Sequence, residues 1–158
     1  MIKGKTKTFM KIGFTGTQKG MSENQISQFI KEMSNHYSYE FHHGDCIGSD
    51  RDAHNIASSL MNVEKIVIHP PDNSSKRAYC KGDEIKPEKP YLERNKDIVD
   101  EIDLLIACPK SNKEELRSGT WATIRYAKEQ GKKIIIIYPD GERRNNGRKN
   151  ESKQRKRK

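Results

Sequence analysis

Residues 133–138 read Lys-Ile-Ile-Ile-Ile-Tyr, a continuous apolar run in a chain of 158 residues. An unbroken run of branched residues favours a strand that is buried on both faces of a sheet. The preceding segment Thr120–Gln130 is a predicted helix, and Gly131 stands where a helix ends in left-handed backbone. Pro139–Gly141 ends the strand. A helix that leads directly into an apolar strand is typical of an α/β protein with a parallel sheet.

The same alternation extends back to residue 10. Apolar runs predict four further strands, at Met10–Thr15, Tyr39–His43, Lys65–His69 and Leu104–Cys108. Apolar residues at helical spacing predict helices around 26–33, 53–61 and 92–101. Ser22 and Gln25 form a capping-box pattern before the first helix, and Ser49 or Asp50 is the expected cap of the second. The predicted fold is α/β, a Rossmann-like three-layer sandwich with a parallel sheet of about five strands.

Charge and polarity divide the chain into unequal parts. Its formal charge is +9, yet residues 141–158 hold nine Lys and Arg against two Glu, which leaves only +2 for residues 1–140. Residues 142–158 contain no apolar side chain, so we predict a disordered basic tail there. The predicted organisation is an extension over residues 1–9, one domain over 10–141 and the tail over 142–158. Residues 72–90 are polar and contain Pro and Gly, which predicts a long surface loop inside the domain.

Composition excludes membrane, fibrous and disulfide-scaffold proteins. No apolar run reaches the roughly 18–20 residues of a membrane span, and no secretory signal pattern follows Met1. The three cysteines, Cys46, Cys80 and Cys108, are scattered, which is typical of reduced thiols in a cytoplasmic protein.

The sequence predicts neither a metal nor a cofactor. A metal cluster of His42, His43, Asp45 and His54 is disfavoured, because adjacent residues on a strand point to opposite faces. The glycines at 13, 16 and 20 fit neither the spacing of a dinucleotide fingerprint nor that of a Walker A loop.

Four segments at the predicted carboxyl edge of the sheet carry residues suited to a nucleotide. In an open α/β sheet, ligands bind at this edge, where the strand order reverses. The candidate ligand-binding residues are Thr15, Gly16 and Thr17 in the first segment, Gly44, Asp45, Gly48 and Asp50 in the second, Arg94 and Asn95 in the third, and Ser118, Gly119, Thr120 and Trp121 in the fourth.

Each residue type has a role in this hypothesis and a plainer alternative. Gly and Thr at strand-to-helix turns bring backbone N–H groups to an anion, or form ordinary tight turns. Asp45 and Asp50 suit ribose hydroxyls, although Asp50 also suits a helix cap. Arg94 suits a phosphate, or lies on a solvated helix face. Trp121 suits core packing better than base stacking.

The residues Thr15–Thr17, His43–Asp50, Glu93–Asp100 and Ser118–Ala127 resemble the SLOG superfamily over about residues 10–140. This superfamily includes the LOG phosphoribohydrolases, the DprA DNA-processing proteins and small YspA/YpsA-like proteins often encoded by phages and bacteria. The resemblance implies that Arg94 matches an arginine of the LOG enzymes and that Gly119-Thr120 matches the Gly-Thr of their PGGxGTxxE motif. Thr123 stands in place of that motif's Glu.

These observations leave three functions open. The main hypothesis is binding of a nucleotide or nucleotide-derived ligand, as a sensor or sponge. The first alternative is an enzyme, an N-glycosidic hydrolase or transferase acting on nucleosides or nucleotides, with Asp45, Asp50 or Glu115 supplying the carboxylate that Thr123 lacks. The second is a DNA-binding protein of the DprA type, with the basic tail binding phosphates non-specifically. The resemblance also implies a homo-oligomer.

Overall fold

The computed structural model of the chain describes residues 9–145. Its strands are β1 (Met10–Gly16), β2 (Tyr39–His43), β3 (Val63–Ile68), β4 (Glu84–Ile85), β5 (Leu104–Cys108), β6 (Lys133–Ile137) and β7 (Arg143–Asn145). Its helices are α1 (Glu23–Ser34), α2 (Ser49–Ser58), α3 (Tyr91–Glu101) and α4 (Gly119–Glu129), and Ser74–Lys76 forms one 3₁₀ turn.

The strands form one sheet in the order β4-β3-β2-β1-β5-β6-β7. All neighbouring pairs are parallel except β6 and β7, which are antiparallel. The chain winds outward from β1 in one direction through β2 and in the other through β5, so the strand order reverses between β1 and β5. The predicted α/β fold of Rossmann-like type is confirmed, with two short strands added to the five predicted.

Helices cover both faces of the sheet. Successive side chains of a strand point to opposite faces, so each face has its own apolar core beneath the helices. On one face, Phe14 and Phe41 pack against Phe29 of α1, with ring centroids 5.3 Å apart for Phe14 and Phe29. On the other face, Leu105 and Ala107 of β5 join a core made with α3 and α4. This burial on two sides explains why β5 and the four isoleucines of β6 are uninterrupted apolar runs.

The helix ends confirm two predictions and correct a third. Ser22 and Gln25 form the predicted capping box, and Gly131 has the predicted left-handed backbone at φ +71°. The N-cap of α2 is Gly48, not Ser49 or Asp50, and no side chain caps this helix. Position 48 requires glycine, because its φ is +93° and a Cβ there would collide with the backbone carbonyl of Gln18.

Both short strands lie where the sequence predicts no regular structure. β4 lies inside the predicted loop 72–90 and adds to the edge of β3. The prediction of disorder from residue 142 onward is wrong for Arg143–Asn145, which pair with β6. Arg143 also donates to the buried carboxylate of Glu32 on α1 at 2.7 Å, so a polar strand is held without apolar burial. The rest of the predicted tail and the extension over residues 1–8 lie outside the described residues.

None of the helices within residues 9–145 has the length and apolar character that a membrane span requires.

Candidate functional site

A cavity of about 570 Å³ opens at the carboxyl ends of β1 and β5, where the strand order reverses. This volume lies in the range of small-molecule sites. We refer to it as the carboxyl-edge cavity. Eleven of the residues named from the sequence line it: Thr15, Gly16, Thr17, Gly44, Asp50, Arg94, Asn95, Glu115, Ser118, Gly119 and Thr120.

Three other candidates do not reach the cavity. Asp45 is fully buried and accepts hydrogen bonds from Arg77 Nε at 3.0 Å and from the backbone N–H of Cys80 at 2.9 Å. Its carboxylate therefore holds the loop 77–80 in place. Gly48 serves the turn before α2, as described above. Trp121 packs in the α3–α4 core, 5% exposed, so the core-packing alternative describes it.

The first two loops of the cavity are hydrogen-bonded to each other. The hydroxyl and the backbone N–H of Ser49 both donate to the carbonyl of Thr17, at 2.6 Å and 3.1 Å. The backbone N–H of Thr17 donates in turn to the carbonyl of Cys108 at the end of β5. The backbone of the two cavity loops is thus fixed by hydrogen bonds within the protein. A preformed site of this kind lowers the entropy cost of binding.

The N-terminus of α4 supplies the other wall. Ser118 is the N-cap, and its hydroxyl accepts the backbone N–H of Trp121 at 3.2 Å. Gly119 lies under the Tyr91 ring, and a Cβ there would be 3.0 Å from Tyr91 Cε2. A helix N-terminus carries partial positive charge, so this wall favours an anion. Thr123 turns away, because its hydroxyl donates to the carbonyl of Gly119 at 2.9 Å.

Arg94 forms the floor of the cavity instead of extending into it. Its side chain is 4% exposed, and Nη1 donates to the carbonyls of Gly44 and His69, the latter at 3.0 Å. Its Nη2 lies 3.5 Å from Cys46 Sγ, while Nε is buried without a partner. The absence of a side chain at Gly44 makes room for the guanidinium. Arg94 therefore places buried positive charge beneath the cavity, with most of its donors already occupied.

Asp50 is the buried acid of the cavity. Its carboxylate accepts the backbone N–H groups of Cys46, at 3.1 Å, and Gly44. Burial raises the pKa of Asp50 to about 6, although the charge of Arg94 and these two hydrogen bonds act in the opposite direction. A carboxyl group that titrates near neutral pH inside a cavity is typical of functional sites.

Three exposed cations at the cavity were missed by the sequence analysis. Lys76, Lys110 and Arg117 line its mouth, and we call them the cationic rim. Lys76 lies in the polar segment that was predicted only as a surface loop. An isolated bridge between Cys46 and Arg77 folds this segment back over the second cavity loop. Arg117 is adjacent to the Ser-Gly-Thr triplet, and this adjacency was the available sequence signal.

The two adjacent histidines of β2 point to opposite faces, as strand geometry requires. His42 Nδ1 lies 2.9 Å from His69 Nε2, and His43 Nε2 lies 2.9 Å from His54 Nδ1. Burial lowers the pKa of His42 and lowers that of His69 to about 3. It also lowers the pKa of His43 far below its usual value. Burial also lowers the pKa of His54, so both pairs are neutral near pH 7.

No known family model matches the sequence, and no curated protein is significantly similar to it. A solved structure of DNA processing protein A from Helicobacter pylori, described for its unique single-stranded DNA binding mode, has a similar fold with a TM-score of 0.54. The similarity covers 82% of this chain and 65% of that chain, at 16% sequence identity. This chain thus spans about two thirds of that neighbour, and the likeness supports the fold.

Proposed function

We propose that the carboxyl-edge cavity binds the phosphate and sugar of one nucleotide, and that this nucleotide is part of a DNA single strand. The observation that carries the proposal is the combination of the α4 N-terminus with the cationic rim around one preformed cavity. Anions are favoured at helix N-termini, and exposed Lys and Arg attract the phosphates on either side of a bound nucleotide.

The size and shape of the site support a single strand over a duplex. A cavity of about 570 Å³ has room for one nucleotide, and a base can enter it only if it is unpaired. The exposed ring of Tyr91 at the mouth offers a surface on which a base can stack. The fold neighbour, a single-stranded DNA-binding protein, supports the same choice of ligand.

The test is fluorescence anisotropy of labelled oligothymidylate with two matched double variants of the full chain. Lys76→Met with Lys110→Met removes two rim charges. Lys31→Met with Lys128→Met removes two exposed charges from the last turns of α1 and α4, at the other edge of the sheet. Each lost phosphate contact reduces the salt slope for a single strand by about 0.7, so the rim variant should lose about 1.4. An equal loss of salt slope in both variants would mean that DNA binds by non-specific attraction to the charged surface and not at the cavity.

A free nucleotide is the second candidate, favoured by the fixed backbone of the two cavity loops. A nucleoside monophosphate that competes with oligothymidylate for wild-type protein would place both ligands in one site. If a monophosphate binds in calorimetry and the rim variant retains full DNA affinity, the cavity serves a small nucleotide, and DNA binding there is excluded.

A further inference from the structure

A second cluster of polar groups lies away from the carboxyl-edge cavity, at the C-terminal end of α3. We propose that His42, His69 and Glu101 bind a divalent transition-metal ion, with Zn²⁺ as the representative ion. The three side chains come from β2, from the residue after β3 and from the last residue of α3. We call this place the histidine crevice.

The ligand atoms are already close to one another. His42 Nδ1 lies 2.9 Å from His69 Nε2 and 3.9 Å from Glu101 Oε1, and all three atoms lie within 4.8 Å of one another. Zinc bonds of about 2.0–2.2 Å in tetrahedral geometry place ligand atoms roughly 3.3–3.6 Å apart. Small side-chain rotations therefore convert the cluster into a two-histidine, one-carboxylate site, which leaves one position of the ion for water.

The hydrogen bonds of His42 prepare it as a ligand. Its Nε2 lies 3.2 Å from Glu40 Oε1, and because a carboxylate only accepts, Nε2 carries the proton of the neutral ring. The lone pair of His42 Nδ1 is then directed at His69. A metal-bound histidine usually donates its other N–H to a carboxylate, which orients the ring and makes it a better ligand. His69 joins by moving its own proton from Nε2 to Nδ1.

An ion has a path to the cluster. His69 and Glu101 line a crevice of about 250 Å³, and the Glu101 side chain is 36% exposed whereas His42 is almost fully buried. Three cations line this crevice, and each already has another partner. Arg94 donates to the carbonyls of Gly44 and His69. Lys86 lies 3.0 Å from Glu84, and Lys89 lies 2.6 Å from Asp97. Lys86 is nevertheless 3.9 Å from Glu101 Oε1, and both Lys86 and Arg94 are positive charges at this crevice that disfavour a bound metal ion.

A similar cluster on the opposite face of the sheet provides an internal comparison. His43, His54 and Cys80 also bring three ligand atoms together. There, however, His43 Nδ1 accepts the backbone N–H of Asp45 at 2.9 Å, so the neutral ring must carry its proton on Nε2, which faces His54. That nitrogen has no lone pair to offer, and burial also raises the pKa of the Cys80 thiol. Histidine tautomers, and not proximity, distinguish the two clusters.

The experiment titrates Zn²⁺ into untagged full-length protein in competition with a fluorescent zinc indicator. We expect each protein molecule to bind one Zn²⁺ ion tightly. His69→Gln should abolish this binding, and Glu101→Gln should weaken it at least 10-fold. Glu40→Gln should weaken binding about 10–100-fold through the orientation of His42. Lys86→Met should tighten it. The matched controls His54→Gln and Cys80→Ser should leave the affinity unchanged.

A spectrum with Co²⁺ in place of Zn²⁺ identifies the ligands independently. Nitrogen and oxygen ligands give visible ligand-field bands without the near-ultraviolet thiolate charge-transfer band that Cys80 would add. Loss of binding in His54→Gln, a thiolate band, or no strong equivalent in the wild type would overturn the proposal. If His69→Gln does not fold, the Glu101→Gln variant decides, because the Glu101 side chain is 36% exposed and its replacement should not disturb folding. A wild-type affinity for Zn²⁺ in that variant would refute the site.

Discussion

Replacing Asp50 by Asn should make the protein more stable at neutral pH and remove part of its pH dependence. The carboxyl group of Asp50 is buried, and its pKa rises from the ordinary value of 3.8 to about 6. Each unit of pKa corresponds to about 1.36 kcal/mol. Ionising Asp50 in the folded protein therefore costs about 3 kcal/mol more than ionising it in the unfolded chain.

The sign follows from which state holds the proton more tightly. The folded state has the higher pKa, so this contribution to stability is fully present below pH 3.8 and is lost as the pH rises through about 6. Between pH 4 and pH 7 the wild type should lose about 2 kcal/mol from this source. Asn does not titrate, so over that interval the variant should gain about 2 kcal/mol relative to the wild type.

Urea unfolding of both proteins at several pH values between 4 and 7 measures this difference. Constant effects of the substitution, such as a weaker hydrogen bond to Cys46, cancel because only the change with pH is compared. The Asp72→Asn variant, which removes an exposed carboxylate from the same cavity, is the matched control for the loss of one negative charge. A stability difference that stays flat across the range, or falls with pH because Arg94 needs its counter-charge, would refute the reasoning.

Three further outcomes are expected. Ending the chain after Asn145 removes seven basic residues and one acidic residue, which should weaken DNA binding at low salt but leave a nucleoside monophosphate affinity in calorimetry unchanged. Purified protein should release no free base from nucleoside monophosphates, as followed by chromatography, because Thr123 cannot stabilise an oxocarbenium-like state as a carboxylate does; stoichiometric release would contradict this. Arg143→Met should lower the free energy of unfolding in urea by about 1–3 kcal/mol, because the buried carboxylate of Glu32 keeps only His36 as a partner. Arg144→Met, whose partner Glu142 is exposed to solvent, should cost less, and equal losses would contradict the assignment.

The sequence predicts the strands that are held by apolar burial and misses the two that are held by backbone pairing and ion pairs. β5 and β6 are recognisable because both faces are covered. β4 contains only Glu84 and Ile85, and β7 contains Arg-Arg-Asn, so neither has a periodic apolar signal. Their positions depend on neighbours such as Glu32, more than 100 residues away from Arg143.

The position of the site follows from topology, whereas the direction of its side chains does not. Parallel strands end at one edge, which places Thr17 and Gly119 at the same cavity. Whether Arg94 extends into that cavity or lies beneath it depends on the space left by Gly44 and on the His69 carbonyl, which accepts a hydrogen bond from Arg94 Nη1. Both contacts join segments that are far apart in the sequence, so the direction of the Arg94 side chain is known only from the folded structure. The roles of these residues in binding a ligand remain predictions.

The two short outer strands have a consequence for how copies of this protein meet. An open strand with four consecutive isoleucines, such as β6, is a template for pairing with another chain and hence for aggregation. β7 occupies that side with two arginines, and the opposite border is a two-residue strand whose Glu84 is flanked by Lys65 and Lys86. Short, charged borders discourage the growth of a continuous intermolecular sheet. The strands of greatest aggregation potential are thus enclosed in the middle of the molecule, and removal of β7 would expose the most hazardous of them.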